Sequence, residues 1–130
     1  MIIKSKKVFT PNATSDLLVT STVKMLKKKS DILDLGCGTG FVGLSISKNS
    51  RLKNNYYFSD ISPKAIQLCK KNAKKNNIRI EAKTGSIFQP WKNKKFDIIV
   101  ESVSGIAKKV ASISPWYTNN IPCDCGEDGT

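Results

Sequence analysis

Apolar and polar residues recur with two different periods along the chain, and these periods predict alternating helices and strands. Helical spacing is seen over about 14–28, 40–49 and 63–75. In the first of these stretches the residues that recur at helical spacing are Leu18, Val19, Val23, Met25 and Leu26. Short, mostly apolar runs predict four strands, at about 31–35, 55–59, 78–83 and 96–100. The chain therefore alternates strand and helix, apart from the last two strands.

This order of elements is typical of an α/β protein with a parallel sheet and right-handed crossovers. In the third helix, Ser62 is a predicted N-cap and Pro63 the first helical residue, and Asn76-Asn77 ends the helix. Beyond strand four the pattern fails, with one short helical candidate at 106–112. We expect a single domain over 1–130, with an N-terminal segment and helix at 1–30, a ligand-binding core at 31–101 and a loop region at 102–130.

The connection after the first strand is rich in glycine. Residues 34–40 read Asp-Leu-Gly-Cys-Gly-Thr-Gly, with glycines at Gly36, Gly38 and Gly40, and an apolar helical stretch follows. Glycine allows a tight turn and a close approach of the backbone, and the start of a helix offers free N–H groups. The arrangement predicts a site for a nucleotide-like ligand.

The same run resembles the first motif of class I S-adenosylmethionine-dependent methyltransferases. The resemblance implies that Asp34 approaches the amino end of the methionine moiety, and that Leu35, Gly36, Cys37, Gly38 and Gly40 pack against it. Gly38, Gly40 and Gly43, with Asp60 further on, also match the dinucleotide fingerprint. Asp34 would repel a pyrophosphate, which favours the methyltransferase reading over a NAD-type site. A glycine turn without a ligand is the third possibility.

Further positions follow from the resemblance. Asp60, at the end of strand two, would accept hydrogen bonds from the ribose hydroxyls, and Ile61 would form an apolar wall for the adenine. Many relatives have Gly-Asp after strand three, where this chain has Gly85-Ser86, so Ser86 and Ile87 are the candidate adenine contacts. Phe9-Thr10-Pro11 resembles the segment that closes over the methionine end in the small-domain group, or it packs as a plain N-terminal cap, so Thr10 is a cofactor candidate. That group includes ribosomal RNA, ribosomal protein and release-factor methyltransferases.

The family fold normally has seven strands, and four can be assigned here, in the expected order 3-2-1-4. We therefore expect an incomplete Rossmann-like sheet and a C-terminally truncated chain, with completion of the sheet by a partner as the alternative. Enzymes that methylate planar amines usually carry Asn-Pro-Pro-Tyr after strand four, whereas residues 101–106 read Glu-Ser-Val-Ser-Gly-Ile. The catalytic residue is thus not identified, and Glu101 and Ser102 are candidates for a contact to substrate or cofactor.

Composition sets the remaining expectations. The 130 residues carry a net charge of +12, which indicates either a polyanion partner or the lysine and asparagine excess of an AT-rich genome. The chain has no histidine, and its four cysteines lack a disulfide or metal-site spacing, so we expect a cytosolic protein without a metal. No apolar run approaches the ~20 residues of a membrane span.

The predicted function is an S-adenosylmethionine-dependent methyltransferase that acts on RNA or on a translation-associated protein. A non-catalytic cofactor-binding module, or the truncated remnant of a methyltransferase, is the alternative. A NAD-type binding domain is a further, less favoured alternative.

Overall fold

Four parallel strands and the helices between them form the described part of the chain. The computed structural model describes residues 2–3, 13–102 and 107–113. The elements are α1 (Ala13–Met25), β1 (Asp31–Leu35), α2 (Phe41–Asn49), β2 (Asn55–Asp60), α3 (Pro63–Lys75), β3 (Glu81–Thr84), a 3₁₀ turn (Gln89–Trp91), β4 (Ile98–Glu101) and α4 (Lys108–Ile113). The strands lie in the order β3-β2-β1-β4, so the predicted α/β class and strand order are confirmed.

The register of the sheet brings the ends of three strands together. Leu35, the last residue of β1, lies opposite Ser59 of β2 and Glu101 of β4, and Asp60 lies opposite Thr84 of β3. All strands are parallel, so their carboxyl ends meet along one side of the sheet, here called the C-terminal edge. The connections that lead into the strands lie at the opposite side, here called the N-terminal edge.

The central strand β1 is buried on both faces. On one face Ile32 and Phe58 pack with Leu44 and Ile46 of α2, and these four side chains are at most 1% exposed. On the other face Leu33 and Leu35 pack against Trp91. The rings of Tyr57, Trp91 and Phe96 meet edge to face there, with centroids 5.3–5.8 Å apart. Edge-to-face contacts suit the quadrupoles of aromatic rings.

The start and the buried stripe of α3 follow the prediction. The Ala65 N–H donates to Ser62 Oγ at 3.4 Å, and Pro63 is the first helical residue. The apolar stripe Ala65, Ile66, Cys69 and Ala73 is buried. After Lys75 the chain leaves the helix, and Asn77 adopts a positive φ of 54°. Asparagine tolerates this left-handed conformation better than most residues do, which explains the break.

The first helix and the third strand differ most from the prediction, by about three residues at one end each. The first helix ends at Met25 rather than near residue 28, and Met25 is 70% exposed although it recurs at helical spacing with buried and partly buried residues. Ser15 and Thr22 are buried on this helix. The third strand begins at Glu81 rather than near residue 78, where the Ile78 N–H still donates to the Ala73 carbonyl of α3.

Gly43 lets α2 approach the sheet closely. A Cβ atom at this position would lie 2.5 Å from Phe58 Cε1 and 3.1 Å from Asp34 Oδ2. Phe58 is fully buried and cannot move aside. We therefore expect Gly43→Ala to lower the free energy of unfolding by about 1–3 kcal/mol, as overpacking of a core does. Urea denaturation measures this change.

The control for this variant is Ser47→Ala on the same helix, where the side chain is only partly buried. We expect it to leave stability nearly unchanged, because alanine favours helices slightly more than serine does. Equal midpoints for Gly43→Ala and the wild type would show that helix and sheet do not approach as closely as the structure has them.

Candidate functional site

The loop that leaves β1, residues 36–40, is held in a shape that requires glycine. Gly36, Gly38 and Gly40 have φ angles of 67°, 52° and 77°. These left-handed conformations are unfavourable for residues with a Cβ atom. The Cys37 N–H donates to the Ser59 carbonyl at 3.0 Å, so the loop bends back over the end of β2. The predicted glycine loop therefore lies at the C-terminal edge of the sheet.

Asp60 joins this loop to the start of α3. Its Oδ2 accepts a hydrogen bond from the Gly38 N–H at 2.9 Å, and its Oδ1 accepts one from the Ser62 N–H at 2.8 Å. A carboxylate offers about four acceptor positions, so each oxygen can accept a further hydrogen bond from a ligand. The carboxylate is partly exposed and thus reachable from solvent. The hydrogen bond between Asp60 and the glycine loop was not anticipated from the sequence.

Asp34 lies beneath the loop. It is 4% exposed, and its Oδ2 accepts a hydrogen bond from the Gly43 N–H at 2.8 Å. Burial raises the pKa of Asp34 to about 7, the Gly43 N–H opposes this rise, and the negative charge of Asp60 adds to it. Asp34 is therefore only partly ionised at neutral pH, unlike an exposed aspartate.

Asn72 of α3 also forms a hydrogen bond with the glycine loop, and this residue was not predicted from the sequence. Its side chain is fully buried and donates to the Thr39 carbonyl at 2.9 Å. The same amide accepts from the Ile3 N–H at 2.6 Å and donates to the Ile3 carbonyl at 3.1 Å. Asn72 thus connects the N-terminal segment, the third helix and the loop. A polar residue inside the predicted apolar stripe was the available signal.

Two buried thiols lie between the loop and α3. A Cβ atom on Gly40 would come within 2.6 Å of Cys69 Sγ, so only glycine fits against this helix without displacing the thiol. Cys37 and Cys69 are both free and buried. A hydrogen bond with Cys69 and burial raise the pKa of the Cys37 thiol, which keeps it neutral. Cys37 is therefore suited to packing rather than to nucleophilic chemistry.

Apolar side chains are exposed beside the loop on the neighbouring connections. Ile61 follows β2 and is 75% exposed, while Ile87 and Phe88 follow β3 and are 63% and 48% exposed. The Gly85 N–H donates to the Asp60 carbonyl at 3.0 Å, which holds the two connections together. Ile87 has a φ of 43°, a strained value for a β-branched residue and one that is found more often at functional sites.

Of the other predicted site residues, the structure describes Ser86, Glu101 and Ser102 but not Thr10. Ser86 is exposed on the connection after β3, where its carbonyl accepts from the Gln89 N–H at 2.8 Å. Glu101 and Ser102 are exposed at the end of β4, and Glu101 lies opposite Leu35, directly before the glycine loop. Thr10 lies outside the described residues, together with Phe9 and Pro11.

Comparison with known proteins shows the family. A family model described as "Methyltransferase small domain" matches residues 2–102, and the chain belongs to this family. Release factor glutamine methyltransferase from Aquifex aeolicus is 30% identical over 119 residues, which are 88% of this chain and 42% of that protein. The chain spans less than half the length of this and other curated relatives that it matches.

Two solved structures have a similar fold. Ribosomal protein L11 methylase from Lactobacillus delbrueckii subsp. bulgaricus has a TM-score of 0.62 and 22% identity, covering 85% of this chain and 56% of that chain. A 16S rRNA methyltransferase from T. thermophilus, in complex with AdoMet and guanosine, has a TM-score of 0.63 and 19% identity. That match covers 72% of this chain and 26% of the other. At such identities the likeness concerns the fold alone.

None of the described helices is long and apolar enough to cross a membrane. The described residues also contain no cluster of three or more side chains suited to hold a metal ion. Cys123 and Cys125 lie outside them.

The raised pKa of Asp34 predicts a pH dependence of stability. Its usual value is 3.8, so between about pH 4 and pH 7 the folded protein binds more protons than the unfolded chain. The stabilising contribution is therefore present below pH 4 and is lost as the pH rises through 7. We expect Asp34→Asn to flatten the decline in unfolding free energy between pH 5 and pH 7, measured by urea denaturation at several pH values.

Asp31→Asn is the matched control for this experiment. Hydrogen bonds from Asn55 and Lys94 lower the pKa of Asp31, so this carboxyl group titrates below the tested range. The control should retain the wild-type slope between pH 5 and pH 7. An unchanged slope in Asp34→Asn would contradict the raised pKa.

Removal of the Asn72 amide tests the connection between the loop and the N-terminal segment. Asn72→Ala leaves three buried or partly buried backbone groups without their partner. We expect the free energy of unfolding to fall by about 2–4 kcal/mol, since each such group costs about 1–3 kcal/mol when unpaired. Asn49→Ala is the control, because that amide is exposed and bonds only within its own helix in the described structure. Similar stabilities of the two variants would exclude the role given to Asn72.

Proposed function

We propose that this chain forms the cofactor-binding part of an S-adenosylmethionine-dependent methyltransferase. The observation that carries the proposal is the glycine loop at the C-terminal edge. Asp60 accepts a hydrogen bond from the Gly38 N–H of this loop, and Asp34 accepts one from the Gly43 N–H just beyond it. Membership of the methyltransferase small domain family supports the same conclusion.

The residues at this edge suit each part of S-adenosylmethionine. Asp60 has free acceptor positions for the two ribose hydroxyls, and the exposed Ile61 and Ile87 offer apolar surface to an adenine ring. Ser86 provides polar groups for the adenine edge. Asp34 is the anion closest in sequence to the loop, and an ammonium group near it would lower its raised pKa and favour the charged carboxylate.

When bound, the cofactor supplies an electrophilic methyl carbon attached to a sulfonium. The protein then has to align the methyl carbon with the acceptor atom, because proximity and orientation provide much of the rate enhancement in such a displacement. The loop and Asp60 would fix the cofactor, and Glu101 is the exposed carboxylate beside the loop on β4. Glu101 would accept a proton if the methyl acceptor carries one, and Ser102 would orient the acceptor.

The proposed acceptor is RNA or a translation-associated protein. Relatives named for release factor glutamine and for ribosomal protein L11 support this class, as does a fold neighbour named for 16S rRNA. Residues 101–106 lack the Asn-Pro-Pro sequence expected for planar amines, which argues against a glutamine side chain as the acceptor. A cytosolic location stays a prediction from cysteine usage.

Calorimetric titration with S-adenosylhomocysteine tests the proposed cofactor, with NAD as the control ligand. We expect binding of S-adenosylhomocysteine and none of NAD. Asp60→Ala should weaken the binding by about 1–3 kcal/mol, the loss expected for charge-assisted hydrogen bonds. Competition by NAD at equal concentration would favour the dinucleotide alternative instead.

The matched control is Asp16→Ala, an exposed aspartate in the first turn of α1 with the same loss of charge. It should bind S-adenosylhomocysteine like the wild type. If Asp60→Ala also binds normally while it remains folded by circular dichroism, the proposed ribose contact is wrong.

A further inference from the structure

We propose that the N-terminal edge of the sheet binds the sugar-phosphate backbone of RNA. The four connections that lead into the strands, together with Lys48, Lys74 and Lys75 at the ends of the preceding helices, carry twelve basic residues. These twelve residues, here called the basic edge, are Lys27, Lys28, Lys29, Lys48, Arg51, Lys53, Lys74, Lys75, Arg79, Lys92, Lys94 and Lys95. Three acidic residues, Asp31, Glu81 and Asp97, lie at the strand starts on the same side, which leaves a net charge of +9 there.

The opposite side of the sheet is much less basic, with Lys64 in the first turn of α3 and Lys83 near the end of β3. The connections that leave β1, β2 and β3, at residues 36–40, 61–62 and 85–88, contain no basic residue. Three carboxylates lie there instead, on Asp34, Asp60 and Glu101. A genome-wide excess of lysine would enrich both sides alike. The charge is therefore distributed by position in the fold and not only by composition.

Helix dipoles explain only a small part of this distribution. Cations are favoured within the last turn of a helix, and Lys48, Lys74 and Lys75 occupy such positions. The other nine members of the basic edge lie beyond the helix ends or before β4, where the dipole has little effect.

The acidic groups of this side are already engaged within the fold. Asp31 accepts hydrogen bonds from Asn55 and from Lys94, the latter at 2.9 Å, and Asp97 accepts one from the Asp31 N–H at 2.8 Å. Glu81 pairs with Lys83 at 3.0 Å. Apart from Lys94, no member of the basic edge lies within 4.0 Å of a carboxylate in the described residues. The other eleven cations thus form no ion pair within the described residues.

The chemistry of the basic edge fits a nucleic acid better than a protein. Lysine is depleted in protein–protein interfaces, and ten of the twelve members of the basic edge are lysines. The exposed amides of Asn77 and Asn93 add hydrogen-bonding groups of the kind that contact phosphate and sugar. The choice of RNA over DNA rests on the proposed function.

The dimensions also suit a nucleic acid backbone. Neighbouring strands are about 4.8 Å apart, so the four connections extend over roughly 15 Å before side-chain reach is added. A nucleic acid duplex carries about one negative charge per 1.7 Å of its axis, so several phosphates would lie within reach of the row. Lysine binds phosphate as a point charge and needs no fixed orientation.

Fluorescence anisotropy with a labelled RNA stem-loop tests the proposal over a range of salt concentrations. The test variant carries Lys27→Gln, Lys28→Gln, Arg51→Gln and Lys53→Gln. The matched control carries Lys64→Gln, Lys70→Gln, Lys71→Gln and Lys109→Gln, which removes the same charge from exposed residues elsewhere. We expect the test variant to bind RNA at least ~10-fold more weakly at 100 mM salt, with a salt slope reduced by about 2–4, and the control to bind within ~3-fold of the wild type.

Equal losses in the two variants would overturn the proposal, because net charge and not the basic edge would then determine binding. Tighter binding of a DNA duplex of matched sequence would overturn the choice of RNA. Equal competition by polyglutamate would overturn the preference for nucleic acid. S-adenosylhomocysteine binding is measured in parallel for the test variant and the wild type. A test variant that loses RNA binding but still binds S-adenosylhomocysteine supports the proposal. A wild type that does not bind S-adenosylhomocysteine would reject the proposed function alone.

Discussion

The site depends on hydrogen bonds from backbone N–H groups to two carboxylates at the ends of adjacent parallel strands. Asp34 accepts from Gly43 and Asp60 accepts from Gly38, so the glycine loop is bonded both at its centre and just beyond its end. Three glycines in left-handed conformations make this path possible. Any residue with a side chain at Gly40 or Gly43 would push α2 or α3 away from the sheet.

This arrangement gives the two aspartates different properties. Asp60 remains partly exposed and has acceptor positions left for a ligand, whereas Asp34 is buried and has a raised pKa. Asn72 adds a third support, which extends from the loop to Ile3 near the N-terminus. The loop is thus held by side chains from β1, β2 and α3, and a change in any of these elements would alter the backbone that faces a ligand.

The two sides of the sheet are chemically distinct. One carries the glycine loop, carboxylates and exposed apolar side chains, and the other carries lysines and arginines on every connection that leads into a strand. Both sets of residues are grouped in this way because the strands are parallel, so every strand begins on one side of the sheet and ends on the other.

Local sequence signals determined the helices and strands, and the places of the glycine loop and Asp60 at strand ends, whereas the strand order was expected from the family resemblance. They did so because glycine conformation, N-capping at Ser62 and apolar periodicity act within a few residues of the chain. Met25, Asn72 and the state of Asp34 could not be assigned in this way. The exposure of Met25 depends on where α1 ends, the contacts of Asn72 join residues 33 and 69 positions apart, and the pKa of Asp34 depends on burial between two elements. Only the tertiary structure decides such properties, because burial and long-range hydrogen bonds arise when distant segments pack together.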